Sequence, residues 1–187
     1  SVVGNVLTIR TFFKIKNLQD ATNCLICNQS IADLLCALVT SVYVIVTFSH
    51  AGRLYISTYK YACIIFLWGA SSAQLSAFVN IMTISIERMI AIGVPVVNER
   101  PDKKKMVLLW ISLTWIGILI STSLPTLGVN QWEHGMSCNL YFVFEKWYLT
   151  YVILLSMFVV LVVTALLNIC IGLIALRRHV RRFKQVA

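Results

Sequence analysis

Four apolar runs, about Cys24–Phe48, Tyr61–Ile86, Met106–Leu127 and Trp147–Leu176, are each long enough to cross a lipid bilayer. Roughly 20 residues rising 1.5 Å each span a hydrocarbon core of about 30 Å. Inside lipid the backbone must satisfy its own hydrogen bonds, and within one continuous apolar run only a helix does that. Composition agrees. Apolar residues make up 59% of the 187 and charged residues 12%, against about 45–50% and 25% in soluble domains. So few charges cannot wet the surface of a soluble globule of this size, which excludes a free soluble enzyme. A fifth run, Val2–Phe13, is short because the chain begins inside it. With no basic leader and no small-residue cleavage site, it reads as an incomplete first span rather than a signal peptide. The expectation is an all-α, polytopic helix bundle of five spans in one domain, residues 1–187.

Charge placement predicts how the bundle is oriented. The chain carries 16 Lys and Arg against 7 Asp and Glu. Thirteen of the 16 fall on one side of the membrane: Arg10, Lys14 and Lys16; Arg88, Arg100 and Lys103 to Lys105; and Arg177, Arg178, Arg181, Arg182 and Lys184. Only Arg53, Lys60 and Lys146 fall on the other. The positive-inside rule makes the first side cytoplasmic, so the chain starts outside and ends inside, as a multi-pass protein of the plasma membrane. The basic runs then mark topology and attraction to anionic membrane lipids, and not nucleic-acid binding. The breaks between spans carry turn signals: Asn17 to Asp20, Ser49 to Arg53, the polar loop Pro95 to Lys105, and the long segment Gly128 to Glu145.

Polar residues within spans are costly and therefore informative. Asp33 stands mid-span, and Glu87 adjoins Arg88 at the cytoplasmic end of the third span. A carboxylate at Asp33 must be protonated, paired with donors, or held near a cation; a bond to a neighbouring helix is the plainer reading. Neighbours on a helix point about 100° apart, so Glu87 and Arg88 need not pair, and an interfacial anchor is also open. Catalytic patterns are missing: there is no H-E-x-x-H and no phosphate loop. The pair Cys24-x-x-Cys27 opens an apolar helix with no second ligand pair, which favours core packing over zinc.

Ordered short motifs give the chain a resemblance. Gly4-Asn5-Val-Leu7, Leu18-Gln-Asp-Ala-Thr-Asn23, Ile31-Ala-Asp-Leu-Leu35, Ser85-Ile-Glu-Arg-Met-Ile-Ala-Ile92 with Pro95, and Trp115 with Pro125 follow one another across four spans. Asn5 precedes Asp33 by 28 residues, Cys63 precedes Arg88 by 25, and Arg88 precedes Trp115 by 27. In these motifs and spacings the chain resembles the rhodopsin-like (class A) G-protein-coupled receptors, helices one (in part) to five. Met89 stands where that family has tyrosine, Gln29 where leucine is common, and the fifth span lacks the usual proline.

The resemblance implies roles. Glu87 restrains Arg88 at rest, and Arg88, with Pro95 and Val96, then engages a heterotrimeric G protein. Cys63 and Cys138 are implied to form a disulfide in an oxidising compartment. Asn28, Asn80 and Trp115 are implied to form a polar cluster between helices two, three and four. Asn5 and Asp33 mark an activation region that holds sodium in the family. Here the serine ligand of the third helix is replaced by Ala77, so a sodium ion, the one implied cofactor, is expected to bind weakly.

For an extracellular ligand, Ala70, Ser71 and Gln74 are the pocket candidates. Ala70 stands where amine receptors carry an aspartate, which argues against a small cationic amine. Tyr43, Tyr148 and Tyr151 are weaker candidates, read first as anchors at the membrane interface. Two other functions fit the spans: a transporter or channel with Asp33 lining the path, and a truncated receptor that binds full-length partners without signalling.

Overall fold

A computed structural model describes residues 2–93 and 101–186. Helix α1, Val2–Lys14, leads through a tight turn at Lys16–Leu18 into α2, Ala21–Phe48. Asp20 starts α2 by accepting a hydrogen bond from the Asn23 N–H at 2.8 Å, which satisfies one of the orphan donors of the first turn. Its 28 residues extend about 42 Å. The sequence places a break at Ser49–Arg53, but a second helix starts there instead: α3, His50–Thr58. Ser49 Oγ accepts from the Gly52 N–H at 3.1 Å and so caps the new helix directly after the old one ends. Gly52 packs so closely that an added Cβ would overlap the Val46 carbonyl.

Helix α4, Lys60–Gly93, has 34 residues. It runs beyond the Ile86 boundary read from hydropathy, because Glu87 and Arg88 end the apolar pattern without breaking helical geometry. Helix α5, Lys103–Thr122, stops short of the Leu127 expected from hydropathy. Pro125 is the cause: it has no N–H to give to the Ser121 carbonyl. The Tyr148 hydroxyl donates to that carbonyl instead, at 3.0 Å. A single turn, α6 (Leu140–Val143), interrupts the long connection, and a π-helical stretch, Tyr148–Leu154, runs into α7, Leu155–Val186.

Helix α4 is central. It contributes twelve buried residues, against two from α5, and packs on α2, α5 and α7. An apolar core gathers at its Cys63 end, with Ile64, Leu67, Val143, Phe144 and Tyr148 among its members. The outward faces of α2, α5 and α7 are apolar and exposed, as at Leu38, Ile45, Leu109, Ile120, Phe158 and Leu166. Such a surface would be unstable in water and is what lipid requires. Among the described residues, four helices are long and apolar enough to cross a membrane: Ala21–Phe48, Lys60–Gly93, Lys103–Thr122 and Tyr148–Arg178.

Candidate functional site

The two ends of α4 hold two groups of polar side chains. At the far end from Cys63, Glu87 is 9% exposed. Its Oε1 accepts from Thr22 Oγ1 at 2.9 Å and from Lys103 Nζ at 2.6 Å. This departs from the restraint implied by family resemblance, since the acid is tied to α2 and α5 and not to Arg88. Helical geometry accounts for it. One step along α4 turns the side chain by about 100°, so Glu87 faces the bundle while Arg88 faces out. Among the described residues Arg88 is exposed and makes no ion pair or hydrogen bond. Pro95 and Val96, its implied companions, lie outside the described residues.

Gln74, Ile81 and Arg88 recur every seven residues and are all exposed, so one seam of α4 links the candidate ligand level to the candidate coupling level. Of the pocket candidates, Gln74 lies open on this seam and Ala70 is half-buried. Ser71 is 2% exposed and donates to the Leu67 carbonyl of its own helix at 2.8 Å, which leaves it poorly placed for a ligand.

Asn28, Asn80 and Trp115 come together. Asn28 Nδ2 donates to Asn80 Oδ1 at 2.8 Å, and Trp115 Nε1 donates to Asn28 Oδ1 at 3.0 Å. Asp33 and Asn5 are not brought into contact by any hydrogen bond among the described residues. Asp33 instead accepts from Gln29 Nε2, one turn away, at 2.7 Å. Ser76 Oγ donates to the Ala73 carbonyl, so it does not replace the serine ligand absent at Ala77. No group of three metal-ligating side chains forms among the described residues.

At the other end, Cys63 and Cys138 form a disulfide with Cα atoms 5.6 Å apart. It pins the 128–145 connection over α4. Tyr43 adds a second tie by donating its hydroxyl to the Cys138 carbonyl at 2.8 Å. A third comes from Gly135, whose positive φ of 84° aims its N–H at the Ser57 carbonyl, 2.9 Å away. The three tyrosines read as interface anchors thus divide. Tyr151 is 67% exposed, Tyr43 holds the loop, and Tyr148 is fully buried in the core.

Sequence reasoning missed Lys103, which it assigned to topology, and Thr22. It also missed the bond from Ser85 Oγ to Asn168 Oδ1, 3.1 Å, that joins α4 to α7. No local pattern marks these residues, because each acquires its partner only when helices pack. A cation close to a buried Glu87 was the one need that could have been anticipated.

Comparison with known proteins places the chain in a family. Residues 4–186 match the family described as 7 transmembrane receptor (rhodopsin family). A D(2)-like dopamine receptor of Takifugu rubripes is 30% identical over 182 residues, 96% of this chain and 38% of that protein. A 5-hydroxytryptamine receptor 2B of Dichotomyctere fluviatilis is 29% identical over 138 residues, 72% of this chain and 28% of that protein. An octopamine receptor of Heliothis virescens is 30% identical over 132 residues, covering 71% and 27%. The chain thus spans less than two-fifths of the length of these relatives. It is a multi-pass membrane protein and belongs to the rhodopsin family of seven-transmembrane receptors, which are signalling proteins and not enzymes.

Proposed function

We propose that the receptor to which these residues belong senses a ligand at the Cys63 end and activates a heterotrimeric G protein at the Glu87–Arg88 end. The observation that carries this reading is the contrast between the two neighbours. Glu87 is fixed by Thr22 and Lys103, while Arg88 projects from the bundle with its fork open. A guanidinium stays charged when desolvated and can bond several carbonyls of a docking helix at once. In this reading the Arg88 end is cytoplasmic, Pro95 and Val96 belong to the docking surface, and the Asn28–Asn80–Trp115 cluster fixes helix packing. Asp33 contributes to switching, with sodium at most a weak ligand. Equal sodium sensitivity in wild type and Asp33→Asn would remove the ion from the scheme.

Replacing Arg88 with Lys keeps the charge and hence the topology, but removes the planar fork. The expected result in the complete receptor is normal surface expression with strongly reduced nucleotide exchange. Wild-type exchange by that variant would overturn the proposal. For the ligand, Ala70 and Gln74 on the open seam favour a molecule that needs no carboxylate partner on α4. The relatives named for 5-hydroxytryptamine, octopamine and dopamine favour a second reading, a cationic amine. Exchange driven by any of these three amines would establish the second reading over the first.

A further inference from the structure

A cavity of about 590 Å³ opens at the Cys63 end, between the close of α2, helix α3 and the backbone of Gly135–Asn139. Its volume falls in the range of small-molecule sites, roughly 300–1,000 Å³. Ala70, Ser71 and Gln74 are not among its walls, so it is separate from the ligand position on α4. The walls are held in place by the Cys63–Cys138 disulfide, the Tyr43–Cys138 bond and the Gly135–Ser57 bond. A cavity so tied at three points is preorganised.

Its chemistry is one-sided. Arg53, His50, Ser137 and Asn139 line it, and among the described residues no Asp or Glu does. The Arg53 guanidinium, the His50 ring and the Ser137 hydroxyl have no hydrogen-bond or ion-pair partner among the described residues. Asn139 uses its Oδ1 to cap α6, which leaves its amide N–H groups to give. Four donor side chains, one of them a permanent cation, thus face a space with no carboxylate. A cationic ligand is repelled there, and an oxyanion finds a charge-assisted fork with further donors around it.

We propose that this cavity binds a small organic oxyanion, a carboxylate or phosphate group carried on a body of a few carbon atoms. The group has two sources, a free solute or the headgroup of an anionic lipid at the membrane rim. The site is independent of G-protein coupling, and its test does not use signalling.

The receptor, in nanodiscs of phosphatidylcholine, is titrated with sodium glutarate or with inorganic phosphate, against sodium chloride at matched ionic strength. Thermal unfolding is the readout, since a ligand of the folded state raises Tm in a saturable way. Glutarate is expected to raise the Tm of wild type and of Lys146→Glu, a change to an exposed cation that does not line the cavity. For Arg53→Glu the half-saturating concentration should rise by about tenfold or more. Arg53 is exposed, and persistence of the Cys63–Cys138 disulfide under alkylation verifies that the variant is folded. Phosphatidylglycerol in the disc separates the two sources. Loss of the glutarate response with a raised starting Tm, the rise in starting Tm being absent in Arg53→Glu, assigns the site to a headgroup. An unchanged response assigns it to a free solute. Equal responses in wild type and Arg53→Glu, or none to any of these anions, would overturn the proposal.

Discussion

Glu87 shows what one step of helical rotation decides. Its carboxylate is nearly buried, and Lys103 offers an ammonium 2.6 Å away. Breaking such a pair costs more than the pair is worth, because the survivor keeps its desolvation penalty without its partner. Lys103→Met should therefore lower Tm more than the double variant Glu87→Gln with Lys103→Met, giving a coupling of about 1 kcal/mol or more. The same cycle run on Glu87 and Arg88 should give a coupling near zero. Thermal unfolding of the four forms in each cycle reads both, and a larger coupling for Arg88 would restore the expected restraint between neighbours. The two residues were visible in the sequence as a motif, but their partners were not. Lys103 sits in a basic run whose charges all look alike until packing selects one of them. The Asn28–Asn80–Trp115 cluster was more legible, because the family resemblance implied it, and the structure brings the three side chains together.

At the scale of elements, apolar run length located each long helix but mistook several ends, and the reasons are local. Ser49 starts a helix where a turn was read, Pro125 ends one early, and α4 continues past its apolar stretch because charged residues are good helix formers. The fifth span was read as lacking the loosening that a proline supplies. The structure supplies it without proline, as the π-helical stretch Tyr148–Leu154. A π turn absorbs one extra residue in an α-helix, so removing one residue there should leave the flanking faces in register. Deleting Thr150, which is exposed, should thus preserve both the Tyr148–Ser121 bond and the Ser85–Asn168 bond. Deleting Leu161, in plain α-helix, should turn the rest of α7 by about 100° and carry Asn168 away from Ser85. Cysteines placed at positions 85 and 168 check this, with oxidative cross-linking retained in the first deletion and lost in the second. Cross-linking of equal yield in both would show that the stretch has no such compensating role.

For the whole molecule, two unrelated kinds of chemistry give the same orientation. The contacts Thr22–Glu87–Lys103 and Arg178–Ile92 bring the α1–α2 turn, the start of α5 and the late part of α7 to one end of the bundle. The basic residues that hydropathy assigned to one side of the membrane, Arg100 lying outside the described residues, belong to that end. Arg53, Lys60 and Lys146 belong to the end that holds the disulfide. Positive charge prefers the cytoplasm, and disulfides persist where the medium is oxidising. Neither argument depends on the other, so their agreement predicts that the Cys63 end faces out. What the sequence did not disclose at this scale is the cavity at that end. It is formed by loop backbone that three long-range ties fold over α3, and periodicity carries no signal for such a surface. Single reporter cysteines test the orientation directly. A membrane-impermeant maleimide should label Arg53→Cys in intact cells, and Lys105→Cys only after the membrane is permeabilised. Both side chains are exposed, which keeps the comparison one of sidedness and not of burial. The reverse pattern would place the basic end outside. It would then remove the coupling surface from the compartment where a G protein is found, leaving Arg88 as a charge at the wrong face of the membrane.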